Sequence, residues 1–344
     1  MRKAITFGIA AVSLAAVGGC GSSSGGARGS RDFVRAVGSS TLYPFATAVA
    51  EQAGKAGGKS PVIESTGTGA GMKLFCAGVG ARHPDIENAS RRMKASEYAD
   101  CQKNGVTGIV EIQVGLDGIA FAEAKNGPGM QLTPLDVYKA LAARPFGKAN
   151  TARLWSEVNP KLPAQPILVY GPPTTSGTRD ALADLILTRG CESDTAVKAL
   201  KEDERKKICT EVRDDGAYVD SGEYDNLIVQ KISQNPRAIG IFGYSFLEEN
   251  PDKLKGIPMS GIVPSYQSIV DFSYPGARPL FIYVKQQHLN AVRGLAGYVN
   301  EWPKAWGPDG YLKKKGMVIA SDEVRARNTD IAAKMTPMDP AGLK

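Results

Sequence analysis

Three short clusters of Ser, Thr and Gly each stand between a strand-like segment and a helix-like segment. They occupy residues 38–41, 66–71 and 174–180. The first residues of a helix leave backbone N–H groups unpaired and carry a partial positive charge, so a helix start attracts anions. Hydroxyl groups add donors, and Gly allows a ligand to approach the backbone closely. One such cluster is ordinary helix capping, whereas three together predict a site that surrounds a small oxyanion.

The segments around these clusters alternate between strand-like and helix-like patterns along most of the chain. Residues 108–114 alternate as a strand does, and residues 135–142 have the spacing of an amphipathic helix. Strands that alternate with helices predict an α/β fold with largely parallel sheets. Ligands of such sheets bind at the carboxyl ends of the strands, where the three clusters lie.

The first residues have the pattern of an export signal. Arg2 and Lys3 precede an apolar run over residues 4–17, which is short for a membrane span and typical of a signal peptide. Small residues stand directly before Cys20, a pattern that resembles the bacterial lipobox. We therefore predict a signal peptide over residues 1–19, lipidation of Cys20 and a flexible polar tether over residues 20–31. Secretion without lipidation is the alternative.

Composition and charge restrict the partners of the mature chain. Cleavage leaves 344 − 19 = 325 residues, enough for two packed lobes, and the hydrophobic content of 42% with 22% charged residues is that of a globular protein. The net charge of +7 becomes +5 without Arg2 and Lys3, and the basic residues are scattered. We expect no nucleic-acid partner and a mild attraction for anions.

The cysteines predict disulfides rather than a metal site. Apart from Cys20, the chain has four cysteines, which allow three pairings. Export makes disulfides plausible, and we prefer the sequence-local pairs Cys76–Cys101 and Cys191–Cys209. No C-x-x-C motif occurs and the chain has two histidines, so a zinc site is poorly supported.

Several motifs in one order resemble the phosphate-binding proteins of bacterial Pst phosphate ABC transporters. The likeness begins with residues 33–45, continues through residues 65–71, 85–94, 115–120 and 170–180, and includes residues 240–244 and 306–312. It covers nearly all of the mature chain. Family membership implies a two-lobed periplasmic-binding-protein fold, type II-like, with parallel-rich sheets flanked by helices and the ligand in the interlobe cleft.

The resemblance also implies how the chain is divided. Residues 32–114 are expected to form the first part of lobe 1, residues 115–265 lobe 2, and residues 266–344 the return to lobe 1. The expected function is a high-affinity receptor that delivers inorganic phosphate to an ABC transporter permease in the membrane. Such a receptor is expected to be exported, anchored through Cys20, monomeric, non-catalytic and without a cofactor.

The family's anion ligands transfer to matching positions of this sequence. The residues so implied are Ser40, Thr41, Leu42 through its backbone, Thr68, Ser176, Gly177 and Thr178. The sequence departs from the best-known members in its charged residues. Ser90 is a further candidate ligand, but Arg91 follows it where they have an Asp, and Pro172 occupies the position of their Arg.

Three charged residues are therefore added to the candidate site from the residues themselves. Arg91 beside Ser90 and Arg179 beside Thr178 can form the paired hydrogen bonds that a guanidinium makes with phosphate. Asp117, before Gly118, is the candidate carboxylate that accepts the proton of phosphate and rejects sulfate, which has none. The alternative interpretation of Asp117 is a turn residue.

Two other functions fit parts of the pattern. An exported phosphoesterase would also need Ser, Thr and Arg around a phosphoryl group, but the sequence has no evident metal cluster or His-rich site. A receptor for another oxyanion, such as molybdate or tungstate, would use similar turns. Competition among anions and a test for ester hydrolysis would separate these alternatives.

Overall fold

The computed structural model of this chain describes residues 31–55, 59–174, 176–222 and 225–343. The strands in these ranges are β1 (Arg35–Gly38), β2 (Val62–Ser65), β3 (Ile86–Ala89), β4 (Ile109–Ala124), β5 (Val169–Gly171), β6 (Tyr218–Asp220), β7 (Ile239–Gly243), β8 (Leu254–Gly256) and β9 (Ala277–Lys285). The predicted signal peptide, Cys20 and the tether as far as residue 30 lie outside the described residues.

The α-helices in the described ranges are α1 (Tyr43–Lys55), α2 (Thr68–Phe75), α3 (Ala95–Lys103), α4 (Pro134–Leu141), α5 (Trp155–Val158), α6 (Gly177–Ala181), α7 (Thr188–Cys191), α8 (Thr195–Lys198), α9 (Glu202–Thr210), α10 (Asp225–Gln234), α11 (Tyr244–Glu248), α12 (Tyr266–Val270), α13 (Leu295–Ala305) and α14 (Asp322–Lys334). A π-helical stretch, Leu182–Leu187, joins α6 to α7. In the described part of the chain, no helix is long and apolar enough to cross a membrane.

The strands form one curled sheet in the order β2-β1-β3-β9-β4-β7-β5-β6, and β8 pairs with β4. Strands β1, β2 and β3 pair in parallel, as do β5, β6 and β7. The central strands β4 and β9 run antiparallel to each other and to their neighbours β3 and β7. The predicted α/β fold with two lobes is confirmed: β1, β2 and β3 belong to the first lobe and β5, β6 and β7 to the second. The sheet is mixed because β4 and β9 run through its centre in opposite directions.

Strand β4 belongs to both lobes. Its residues 109–118 pair with β9, and its residues 119–124 pair with β7 and β8. Nearly every residue of β4 and β9 is buried, because helices cover both faces of the sheet. One register irregularity lies between Gln113 and Gly115 of β4, close to the change of partner.

Separate apolar clusters stabilise the two lobes. In the first lobe, one cluster lies between the sheet and helices α1 and α13, and a smaller one lies under α2. The second lobe has a larger cluster around β7, α4 and α10. The predicted disulfides are confirmed. Cys76–Cys101 joins the end of α2 to α3, and Cys191–Cys209 joins α7 to α9.

Arg31 is the one residue of the predicted tether that is described. Its guanidinium pairs with Asp85, a buried residue just before β3, and its backbone forms a bridge with Val292. The chain is therefore attached to the first lobe from residue 31 onward.

Candidate functional site

The three Ser/Thr/Gly clusters lie at the carboxyl ends of parallel strands, as the sequence predicts. The first follows β1 and precedes α1, the second follows β2 and precedes α2, and the third follows β5 and precedes α6. Ser176 caps α6, because its hydroxyl accepts a hydrogen bond from the Thr178 N–H at 3.2 Å. Helix α2 begins after Gly67 without a side-chain cap.

The first and third clusters come from opposite lobes and touch each other. The Thr41 hydroxyl donates to the Gly177 carbonyl at 3.2 Å, and the Ser40 hydroxyl donates to the Asp180 carboxylate. The backbones are so close that a Cβ placed on Gly177 would lie 2.3 Å from Thr41 Cα. Glycine at 177 is therefore required for this approach of the two lobes.

Arg278 lies where these two clusters meet, and the sequence analysis missed it. Its guanidinium donates to the Thr41 hydroxyl at 2.7 Å, to the Asp117 carboxylate at 3.0 Å and to the Gly177 carbonyl at 3.4 Å. It also reaches Asp184 of the second lobe at 3.5 Å. The side chain is 5% exposed, so its charge acts in a weakly screened environment.

A sequence signal for Arg278 exists. It is a charged residue near the start of β9, followed by the apolar run Pro279–Val284, and no Gly-rich cluster marks it. Asp180 and Asp184 were also missed, although they stand four residues apart in the helical segment that begins with Gly177. That spacing places two side chains on the same helix face.

Asp117 faces Arg278 across the two central strands. The two residues are register partners of β4 and β9, and the Asp117 side chain is 14% exposed. Burial raises the pKa of the Asp117 carboxyl, while Arg278 and the Gly118 N–H act in the opposite direction. Asp117 is therefore bound to a cation of the cleft rather than placed in a solvent-exposed turn.

The second cluster is linked to Ser90 within the first lobe. The Thr68 hydroxyl accepts a hydrogen bond from the Ser90 N–H at 3.1 Å and lies 3.1 Å from the Ser90 hydroxyl. Leu42 is fully buried in the apolar cluster under α1, so its backbone is the part that can meet a ligand.

The two arginines singled out from the sequence have protein partners. Arg91 makes paired hydrogen bonds to the Glu97 carboxylate at 2.9 and 2.7 Å. The Arg179 guanidinium lies 4.4 Å from the centre of the Tyr218 ring, which is a cation–π contact within the second lobe. Each arginine thus contacts a residue of its own lobe.

Two groups of predicted residues therefore come together. The structure brings Thr41, Gly177 and Asp117 together around Arg278, with Ser40 bonded to the nearby Asp180, and it places Thr68 and Ser90 together on the first lobe. Arg91 and Arg179 belong to neither group. Among the described residues, no group of three or more His, Cys, Asp or Glu side chains could hold a metal ion. The site is built from hydroxyls, helix starts and a guanidinium, which are the groups that bind oxyanions.

Known proteins are similar to this chain in sequence. Residues 21–306 match the PBP superfamily domain. The chain is 34% identical over 264 residues to protein SphX of Synechococcus elongatus, covering 75% of this chain and 69% of that protein. It is 30% identical over 309 residues to the phosphate-binding protein PstS of Staphylococcus saprophyticus, covering 87% of this chain and 85% of that protein.

The fold is similar to that of solved structures. One is the crystal structure of a possible phosphate binding protein from Planctomyces limnophilus. It has a TM-score of 0.72 and 26% sequence identity, covering 88% of this chain and 98% of that one.

Proposed function

This chain belongs to the PBP superfamily, in the family of SphX and the PstS phosphate-binding proteins, and we propose that it is a receptor for inorganic phosphate. In this proposal it captures phosphate between its lobes and delivers it to the permease of an ABC transporter. The observation that carries the proposal is the meeting of Thr41, Gly177 and Arg278 at the contact of the two lobes.

The proposed ligands surround the anion from both lobes. From the first lobe they are the hydroxyls of Ser40, Thr41, Thr68 and Ser90 and the backbone of Leu42. From the second lobe they are Ser176, Gly177 and Thr178 at the start of α6. Hydrogen bonds to a charged group contribute about 1.5–3 kcal/mol each before entropy costs, so several of them support micromolar or tighter binding.

Arg278 supplies the central positive charge in this proposal. Pro172 occupies the position that is an Arg in the best-known family members, and Arg278 reaches the same cleft from strand β9. Arg91 and Arg179 remain proposed ligands. To bind phosphate, Arg91 would have to leave Glu97 or share its guanidinium with it, and Arg179 would have to do the same with Tyr218. Both follow a proposed hydroxyl ligand directly in the chain, Ser90 and Thr178.

Carboxylates near Arg278 support selectivity for an oxyanion that carries a proton. Asp117 and Asp184 flank Arg278, and Asp180 accepts from Ser40. A carboxylate accepts a hydrogen bond from a phosphate that still carries a proton, whereas it repels sulfate, which has no proton to donate. We propose Asp117 as the residue that makes this distinction.

The remaining features of the proposal concern the protein in the cell. We propose that the chain is exported, that Cys20 carries lipid and that the protein is a monomer without enzymatic activity. We also propose the lobe boundaries after residues 114 and 265. The first lies in β4, which exchanges β9 for β7 as its partner a few residues later, after Gly118. A phosphoesterase or a molybdate receptor are the alternatives that the experiment must separate.

Isothermal titration calorimetry of the purified mature chain tests the proposal. Phosphate should bind with one site per chain, arsenate should compete with it, and sulfate and molybdate should compete weakly. A parallel assay with a chromogenic phosphate ester should show no turnover. Preferential binding of molybdate, or hydrolysis of the ester, would establish one of the alternatives instead.

A further inference from the structure

Glu87 is a fully buried carboxyl group in the middle of β3. Neither of its side-chain oxygens has a hydrogen-bond partner among the described residues. Burial without a partner is costly for an ionised carboxylate, and the group avoids this cost by keeping its proton. Glu87 takes no part in the ligand set proposed above.

Two neighbouring glutamates on the same face of the sheet provide a comparison. The strand register places Glu64 of β2 and Glu111 of β4 in one row with Glu87. Glu64 pairs with Arg35, and Glu111 pairs with Arg92 and accepts a hydrogen bond from Tyr283. Glu87 lies between these two partnered carboxylates, and none of the described residues forms an ion pair or a hydrogen bond with its side chain.

The Glu87 carboxyl packs against two glycines, Gly38 and Gly71, which belong to the first and second Ser/Thr/Gly clusters. A Cβ placed on Gly38, the residue before Ser39, would be 2.7 Å from Glu87 Oε1. A Cβ placed on Gly71, in the helix that begins with Thr68, would be 2.2 Å from Glu87 Oε2. Both positions are glycine, which leaves the space that this carboxyl group occupies.

The groups around Glu87 favour its neutral form. Strand β1 and helix α2 face it through Gly38 and Gly71, and β9 contributes its register partner Tyr283. The charged groups that act on it are Glu97 and Arg91, which form an ion pair with each other. Burial raises the pKa of the Glu87 carboxyl well above its usual range, Glu97 raises it further, and Arg91 opposes them.

We propose that Glu87 is a proton-linked residue beneath the anion site, and that phosphate binds in the form of the protein in which Glu87 is protonated. The inference rests on the proposed phosphate-binding function. An ionised Glu87 would repel an anion held by the Ser39–Thr41 turn and the start of α2, so binding favours the protonated carboxyl.

The sign of the pH effect follows from this linkage. At a pH where Glu87 is protonated in both the free and the bound protein, its contribution to the affinity is constant. At a higher pH, where the free protein has lost this proton, binding must take up a proton. The affinity then falls by up to about tenfold per pH unit.

Calorimetry with phosphate tests this proposal, using the wild type, Glu87→Gln and the control Glu64→Gln. Titrations from about pH 6 to 9, in two phosphate-free buffers of different ionisation enthalpy, give the affinity and the number of protons taken up. The ionisation of phosphate itself is common to all three proteins. We expect the ratio of the Glu87→Gln affinity to the wild-type affinity to rise with pH, by up to about tenfold for each pH unit. Glu64→Gln should follow the wild type.

Two results would overturn the proposal. If Glu87→Gln and wild type bind phosphate with equal pH slopes and equal proton uptake, Glu87 is a structural residue. If the wild type gives no phosphate heat at any pH, the proposed function itself fails, and this inference fails with it.

A second measurement covers the case in which Glu87→Gln does not fold. Carbon-13 NMR of the glutamate side-chain carboxyls in the wild type follows the pH titration of each glutamate, with and without phosphate. One glutamate should titrate above the ordinary range and shift to higher pH when phosphate is added. Ordinary titration of every glutamate would reject the proposal without using the variant.

Discussion

At the scale of single residues, Arg278 joins the parts of the site that the sequence separates. Its guanidinium contacts Thr41 of the first lobe, Gly177 of the second and Asp117 of a strand that runs through both. The fork of five N–H donors allows several partners to be bound at once. A lysine at this position would keep the charge and lose this geometry.

Arg278→Lys should therefore weaken phosphate binding by roughly tenfold to a hundredfold at neutral pH. The reason is that a single ammonium group cannot hold Asp117 and Thr41 and also serve the anion. Calorimetry of the variant measures the change. Arg205→Lys is the matched control, because Arg205 of α9 pairs with Glu192, outside the group of residues around Arg278. Equal affinities of Arg278→Lys and wild type would exclude Arg278 from the site.

At the scale of secondary-structure elements, the C-terminal helix α14 packs on β4 near its register irregularity. The Asn328 side chain is buried and its oxygen accepts a hydrogen bond from the Gln113 N–H at 2.7 Å. The Asn328 amide donates to the Val324 carbonyl of its own helix at 2.8 Å. A side chain of α14 thus satisfies a backbone donor of a strand shared by the two lobes.

Asn328→Ala should lower the free energy of unfolding by about 1–3 kcal/mol, because it leaves the N–H of the half-buried Gln113 without its side-chain acceptor. Denaturant unfolding followed by circular dichroism measures this loss. The neighbouring Thr329→Ala is the control, since Thr329 is exposed and bonds within its own helix. It should change stability by less than about 0.5 kcal/mol. A similar loss in both variants would mean that the Gln113 contact is not the cause.

At the scale of the whole molecule, the contact between the lobes is made by backbone as well as side chains. Thr41 and Gly177 meet at the start of α1 and α6, and Ser40 and Asp180 bond across the same boundary. Strands β4 and β9 connect the lobes behind this contact. A close-packed contact of this kind cannot accept added atoms without a shift of the backbone, because its atoms are already at van der Waals distance.

Gly177→Ala should hold the lobes apart, because its methyl group would lie 2.3 Å from Thr41 Cα. Overpacking costs typically about 1–3 kcal/mol, so phosphate should bind roughly tenfold to a hundredfold more weakly. Small-angle X-ray scattering with saturating phosphate should give a larger radius of gyration than wild type. Gly297→Ala is the control, since a Cβ there has no atom within 4 Å. An unchanged radius and affinity in Gly177→Ala would show that the lobes bind phosphate without this close approach.

Local sequence patterns were enough to predict the anion-binding helix starts and the two disulfides. The three Ser/Thr/Gly clusters predicted helix starts at strand ends, since unpaired N–H groups and glycine have that local effect in any fold. Cysteine spacing predicted both disulfides, because residues close in the chain meet at little entropic cost.

Contacts between distant residues were decided by the tertiary structure alone. Arg278 is 237 positions from Thr41 in the chain, and the guanidinium reaches that hydroxyl because β9 returns between β3 and β4. The partners of Arg91 and Arg179, and the burial of Glu87 between two glycines, likewise depend on packing. Charge and hydrogen bonding in a cleft depend on which side chains share a small volume of low polarity, and sequence order does not specify that volume.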